Sequence, residues 1–529
     1  MKKMNLRKYP IGIQTFSRII REKCVYIDKT DLVWDLAHYG AFIFMSRPRR
    51  FGKSLLTSTL ESYFKGEKGL FEGLKIMDKE TEWEQYPVLR LDLSTAKAQP
   101  NSDALQARLM LMLDDYTNVY GENEKEMTPG GMLQGLVKRA YEQTGKQVVV
   151  IIDEYDAPLL DVLSDDTTLT EYRRVMQEFY TPLKASEKYI RFCFITGITK
   201  FSQLSIFSTI NNLTNVTMDP RFAAICGITE TELTTALHED IKQLAQAYEI
   251  GPAQMHEKLK LQYDGYHFTE DSEEIYNPFS LLKAFHHQKV MNYWFESGTP
   301  TFLIRQMQHF RTDITALDTM EVPAAAFDQP TEAMNDALPL LYQSGYLTIK
   351  GYDREADTYT LSIPNQEVRI GYTQGLLPAY TGICSANVQV GFALKFWRAL
   401  KKDDIDLAMR EMQAYLAGIP YVEGFKKKLH NAATAEGFYE YTFYLIFSML
   451  NVYVRTQVKC AGGRVDMVVN MPDTTYVFEL KTNGTAQDAL DQINSKGYAL
   501  PYSTGIKPVV KVGVKMNAES RTVENWIVE

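Results

Sequence analysis

Five β-branched residues in a row, Val148-Val-Val-Ile-Ile152, run directly into two carboxylates, Asp153 and Glu154. Branching at Cβ favours an extended backbone. A strand without polar alternation must be covered on both faces, as the central strand of a parallel sheet is when helices lie on either side. Three further apolar runs fit the same sheet, at 40–45, 88–93 and 191–196. Helical stretches at 53–64, 103–120 and 171–184 lie among them. Strands alternating with helices predict an α/β fold built on a parallel sheet.

The turn after the first run reads Ser46-Arg-Pro-Arg-Arg-Phe-Gly-Lys-Ser54. Strand, tight turn and helix start is the arrangement in which backbone N–H groups and a helix dipole converge on a phosphate. In such a P-loop a lysine neutralises the β/γ oxygens and a hydroxyl joins the Mg²⁺ shell. Lys53 and Ser54 supply these groups, and Arg49, Arg50, Phe51 and Gly52 complete the expected nucleotide-binding loop. The string departs from GxxxxGK[ST] at its front, where Arg47 stands in place of the first glycine. Downstream, Asp153 is suited to hold Mg²⁺ and Glu154 to take a proton from the attacking water. Taken singly, a basic loop capping a helix and an acidic strand end are commonplace. Together, in this order and on these elements, they point to ATP and Mg²⁺ as cofactors.

From Pro10 to about Phe285 the chain resembles the AAA-ATPase-like family of bacterial proteins, whose own loop variant is Ser-Arg-Pro-Arg-Arg-Phe-Gly-Lys-Ser. The strings Tyr26-Ile-Asp-Lys-Thr30, Asp153-Glu-Tyr-Asp156, Thr196-Gly-Ile-Thr-Lys200 and Tyr276-Asn-Pro-Phe279 carry the same resemblance. It implies an additional-strand ATPase core, related to AAA+ and STAND switches. It also suggests Thr196 or Thr199 as a sensor near the γ-phosphate, with a plain turn cap as the alternative. No arginine finger is assigned; for Arg49, Arg50 and Arg221 a structural or surface salt bridge is the expected role.

The remainder divides at 231–320, a helical and loop-rich region, and 321–384, where a helix stopped by Gly345 precedes two alternating segments, 346–351 and 358–363. That outline suggests a winged-helix-like connector. Residues 385–529 follow, helical to about 450, then stranded at 452–459, 464–469 and 475–480, with a helix at 486–496 and a strand at 509–514. In this last part Asp466 lies on one strand and Glu479-Leu-Lys481 on the next. Alternation along a strand puts Glu479 and Lys481 on one face. Two carboxylates can hold Mg²⁺ there, and a lysine beside them can orient or deprotonate a water, or stabilise the charge of in-line attack on a phosphodiester. Charge alternation for solubility on an edge strand is the plainer reading of such spacing.

With that strand context, residues 385–515 resemble the PD-(D/E)XK nuclease superfamily, an α/β restriction-endonuclease-like fold. The resemblance implies Asp466, Glu479 and Lys481 as its central residues. It adds Glu436 as an upstream acid (Glu440, one turn on, is the alternative) and Gln492 as an accessory group. Tyr498, six residues past Gln492, lies about 240° around a helix and should not share its face.

Net charge is −9, so any nucleic-acid contact depends on a local basic surface. Five scattered cysteines with no CxxC pair suggest neither a disulfide framework nor a zinc ribbon. Without a signal core or an apolar run of about 20 residues, no membrane span is expected and a reducing cytoplasm is the default. The expectation is an ATP-regulated, Mg²⁺-dependent nuclease acting on nucleic acid, DNA favoured, with homo-oligomerisation left open. The rival expectations are a nucleotide-dependent switch whose nuclease-like domain binds without cutting, and a motor acting on a protein.

Overall fold

The computed structural model describes residues 7–163, 165–199, 212–297, 301–310, 312, 317, 319–327, 335–381, 386–418, 445, 453–460, 463–503, 505, 507–517 and 522–529. Contacts divide the chain into two units, Met1–Trp294 with Glu321–Asn365, and Phe295–Met320 with Gln366–Glu529.

The first unit is organised by a five-stranded sheet of β1 (Phe42–Ser46), β2 (Val88–Asp92), β3 (Val148–Asp153), β4 (Ile190–Gly197) and β5 (Thr214–Asn215), ordered β2-β3-β4-β1-β5. Every pairing is parallel. All six residues of β3 are buried, as its β-branched run requires. β4 lies between β1 and β3, so one strand separates the P-loop strand from the acidic one. This is the additional-strand order implied by the resemblance. Helices Ser102–Tyr120, Pro129–Thr144 and Asp166–Ala185 pack their leucines and aromatics on the sheet, among them Leu109, Leu136, Tyr172 and Phe179.

A smaller helical cluster follows, Glu230–Ala236, His238–Ala247, Pro252–Tyr263 and Pro278–His287, with a core of its own around Leu237, Leu259, Tyr263 and Phe285. A two-stranded ribbon of β6 (Ile228–Thr229) and β7 (Ile275–Tyr276) ties its ends together. The segment expected to form a wing contains helix Leu338–Gln343 and the antiparallel pair β9 (Thr348–Asp353) and β10 (Thr358–Ser362). A third strand, β8 (Met320–Pro323), extends this sheet in the order β8-β10-β9.

The second unit holds a mixed sheet of β11 (Tyr453–Cys460), β12 (Gly463–Asn470), β13 (Thr475–Lys481), β14 (Val509–Asn517) and β15 (Thr522–Val528) in sequential order. Only β13 and β14 pair in parallel. The parallel pair needs a crossover, and helix Ala486–Ser495 supplies it, packing Leu490 and Ile493 against Val465, Val468 and Val477. Helices Ala386–Leu400 and Ile405–Ala417 form the described part of the expected helical region. No helix among the described residues is long and apolar enough to cross a membrane.

Candidate active sites

Parallel strands carry their carboxyl ends to one edge of the sheet, and loops there are placed to meet a ligand. Ser46 closes β1 opposite Gly197 of β4, and Asp153 closes β3 opposite Asp92 of β2. The helix Lys53–Phe64 starts from Gly52, whose φ of 93° is left-handed, and the space a Cβ would occupy there is open. A side chain at that position would strain the turn through its left-handed backbone. Lys53 is buried, and its Nζ donates to the carbonyls of Arg47 (2.9 Å) and Pro48 (3.0 Å). Burial pushes its ammonium pKa down, against the pull of Glu154, Asp153 and Asp156.

Asp153 is fully buried and accepts the Thr57 hydroxyl at 3.2 Å, with the Ser54 hydroxyl beside it. Burial raises its carboxyl above the ordinary value, opposed by the Ser54 bond and Lys53. Ser54 and Asp153 are therefore in contact across about 100 residues of sequence. Glu154, the next residue, adopts a φ of 48° and pairs with Lys97 at 2.9 Å. Burial alone would raise its pKa, but Lys97, together with Lys53 and Arg49, outweighs it and the carboxyl is held below its usual value. A hydroxyl and a carboxylate in contact are a suitable hard-oxygen donor pair for Mg²⁺, whose remaining positions go to water and substrate phosphate oxygens.

Arg47 does not face the loop's interior. Its guanidinium is 1% exposed and donates to the carbonyls of Ser46 (2.9 Å), Thr217 (2.8 Å) and Phe222 (3.0 Å) while lying 4.2 Å over the Phe268 ring. Phe51 is buried edge-on against Tyr266 and Phe268, and Arg50, at a φ of 70°, stacks on Phe279 at 4.2 Å. Arg49 is exposed, and its carbonyl accepts from the Trp294 indole at 3.3 Å. Arg221 is a surface residue paired with Asp219 at 2.7 Å.

Of the two threonines suggested as sensors, Thr196 lies at the carboxyl end of β4 opposite Met45, and Thr199 lies in the turn after that strand. Thr196 donates its hydroxyl to the Met45 carbonyl (2.6 Å) and Thr199 to Asp156 (2.6 Å), and both are fully buried. Asp156 also accepts the N–H groups of Ile198 (3.0 Å) and Thr199 (2.7 Å), so it anchors the turn that follows β4. Sequence reasoning gave Asp156 no role, although the second aspartate of Asp153-Glu-Tyr-Asp156 was a visible signal. Lys97 carried none, since its partner lies 57 residues away.

In the second unit Asp466 lies opposite Glu479, one step beyond the last β12–β13 ladder pair, Met467 with Phe478. There the ladder gives way to side chains. Asp466 Oδ2 accepts the Leu480 N–H (2.8 Å), and the Asp466 N–H points to Glu479 Oε2 (3.4 Å). Lys481 Nζ stands 3.4 Å from Glu479 Oε1, and the Gln492 amide bonds the same oxygen. Four of the sequence-selected residues thus converge on one face. Glu479 is 2% exposed, and burial together with Asp466 pushes its carboxyl up to about 7. Glu436 and its alternative Glu440 lie outside the described residues, as do Lys426, Lys427 and Lys428.

Tyr498 corrects the helical-wheel argument. The helix ends at Ser495 and the chain doubles back, with the Tyr498 N–H on the Ile493 carbonyl (3.0 Å). Its hydroxyl then lies 3.4 Å from the Gln492 amide. An angle computed around a continuing helix does not apply past its end.

Among the described residues no group of three or more His, Cys, Asp or Glu side chains is arranged to hold a metal. Mg²⁺ commonly takes only one or two carboxylates and completes its shell with water and phosphate oxygens, so the Asp466–Glu479 pair fits it.

Both candidate sites fall within segments that match known families. Residues 10–207 match the family described as "Predicted AAA-ATPase", and residues 434–526 match the PD-(D/E)XK nuclease superfamily. The chain is also 33% identical over 538 residues to an "Uncharacterized protein in vnfD 5'region" of Azotobacter chroococcum mcd 1, covering 99% of both chains. By this full-length likeness and these two domains the chain belongs to one family with the Azotobacter protein, a family of AAA-ATPase-like proteins with a C-terminal PD-(D/E)XK nuclease superfamily domain.

Proposed function

We propose that the protein binds and hydrolyses ATP and uses that cycle to control a Mg²⁺-dependent phosphodiesterase acting on nucleic acid, with DNA the favoured substrate. The observation that carries the reading is the convergence of Asp466, Lys481 and Gln492 on Glu479. A merely solubilising charge alternation would leave these groups apart in solvent, whereas Glu479 is buried at their centre.

At the first centre Lys53 exchanges its loop carbonyls for phosphate oxygens, and Ser54 with Asp153 would hold the metal. Bound Mg²⁺ supplies charge neutralisation on the β- and γ-phosphates. Glu154 orients and deprotonates water once its carboxylate leaves Lys97. Thr196 and Asp156 are positioning groups that fix the β4 turn beside the loop.

At the second centre Asp466 and Glu479 would hold the metal, and Gln492 keeps Glu479 in place. Lys481 orients the attacking water or stabilises the charge that builds on the phosphorus oxygens. The test is incubation of the full-length protein with plasmid DNA and Mg²⁺ or Mn²⁺, with and without ATP. Cutting is expected, and Lys481→Ala should reduce it by roughly 10²–10³-fold. ATP turnover without cutting under any metal would instead mark the protein as a switch or motor.

A further inference from the structure

Lys515 lies directly across from Lys481 in the β13–β14 pair, as Gly513 lies across from Glu479. Paired residues of parallel strands project from the same face, about 4.8 Å apart at their roots. Helix Ala486–Ser495 covers part of that face: a Cβ on Gly513 would strike the Ala486 carbonyl and come within 2.7 Å of the Leu490 nitrogen. Two residues further along, Lys515 is half-buried, and its Nζ donates to the Thr482 carbonyl at 2.6 Å. The ammonium is thus held against the residue that follows Lys481, with two of its three N–H donors left for other acceptors.

A second observation is independent of that contact. The β14–β15 ladder shifts register between Lys515 and Met516. Such bulges re-aim a side chain and occur often beside active sites. Val514 and Met516 on either side are fully buried, so packing gives this stretch of strand no need for a charge.

We propose that Lys515 is a phosphate-binding residue of the C-terminal centre, engaging the phosphate next to the one held at Asp466, Glu479 and Lys481. The inference rests on the proposed nuclease reading and deepens it. A centre that grips two successive phosphates takes a polynucleotide, not an isolated phosphodiester.

The experiment measures binding of a short DNA duplex to the full-length protein in Ca²⁺, offered in place of Mg²⁺, between about 50 and 200 mM salt. Each phosphate contact contributes about 0.9 to the slope of log affinity against log salt. Lys515→Met should flatten that slope by about one contact, and Lys515→Arg should restore it. Lys511→Met is the control: it removes the same charge four residues earlier on β14, about 13 Å away, where Nζ pairs with Glu529 at 2.8 Å. Its slope should match that of the unaltered protein. An unchanged slope in Lys515→Met, with or without a lowered melting temperature, overturns the assignment and makes Lys515 a strand-end prop. A slope altered equally by Lys511→Met overturns it too. If the unaltered protein binds no duplex at all, the nuclease reading falls and takes this inference with it. If it binds and cuts while Lys515→Met keeps the slope, only the inference falls.

Discussion

Arg47 stands where many P-loops have glycine, and substituting glycine would bring the string closer to the common pattern. The structure argues that this would harm the protein. The guanidinium satisfies three backbone carbonyls from separate segments, at 46, 217 and 222, and packs on Phe268. Removing it strips a donor from each carbonyl, although that of Phe222 keeps the Ile225 N–H at 3.3 Å, and a buried acceptor left without a donor costs about 1–3 kcal/mol where water cannot enter. Arg47→Gly should therefore lower stability by about 3 kcal/mol or more, read as a fall in melting temperature. Lys is also expected to fall short, because a single ammonium does not reproduce a planar fork and its stacking. Stability unchanged in Arg47→Gly would remove this account. The oddity of Arg47 was plain in the sequence, but its purpose was not, since its partners lie about 170 and 220 residues away. Lys53, Ser54 and Asp153 were legible for the opposite reason. Their chemistry depends on a local strand–turn–helix signature, and only their mutual contact needed the fold. Tyr498 was misread because the wheel was carried beyond the end of its helix.

At the scale of elements, what sequence could show was type, and what it could not show was pairing. The β-branched run announced β3, and its full burial follows directly. The place of β4 between β1 and β3 is set by crossover connections that leave no periodic trace. The final strand, β15, went unread because its burial is mixed along its length, with Glu524 and Asn525 exposed on it. The parallel β13–β14 pair is what brings helix Ala486–Ser495, and Gln492 with it, over Glu479. That approach depends on Gly513 being bare, since any Cβ there meets the helix backbone. Gly513→Ala should displace the helix and cost about 1–3 kcal/mol in the second unit. Metal-dependent cutting should fall with it while ATP turnover persists. Retention of full cutting by Gly513→Ala would show that the helix need not sit so close for Gln492 to hold Glu479.

For the whole molecule, the two centres belong to different compact units, and the chain crosses between them more than once. Residues 295–320 group with the C-terminal part, and 321–365 return to the N-terminal one. A linear reading cuts a chain into consecutive pieces, so this interleaving lay beyond it. The segment 321–384, drawn as one connector, has its strands in the first unit and its helix from Gln366 in the second. Two units sharing crossings are coupled covalently, yet each centre is assembled from residues of its own unit. Single changes should consequently dissociate the activities. Lys53→Ala removes the ammonium proposed to meet the phosphates, where charge-assisted bonds contribute about 1.5–3 kcal/mol each, so ATP affinity should drop at least about tenfold. Cutting measured without ATP should survive in that variant, and any response of cutting to ATP should vanish. Lys481→Ala should do the reverse, lowering cutting by roughly 10²–10³-fold and leaving ATP turnover in place. The decisive measurement is the ATP response of cutting in the Lys53→Ala protein. If ATP still changes the cutting rate when the P-loop lysine is gone, nucleotide acts at some other place, and control cannot run from Lys53, Ser54 and Asp153 to Glu479.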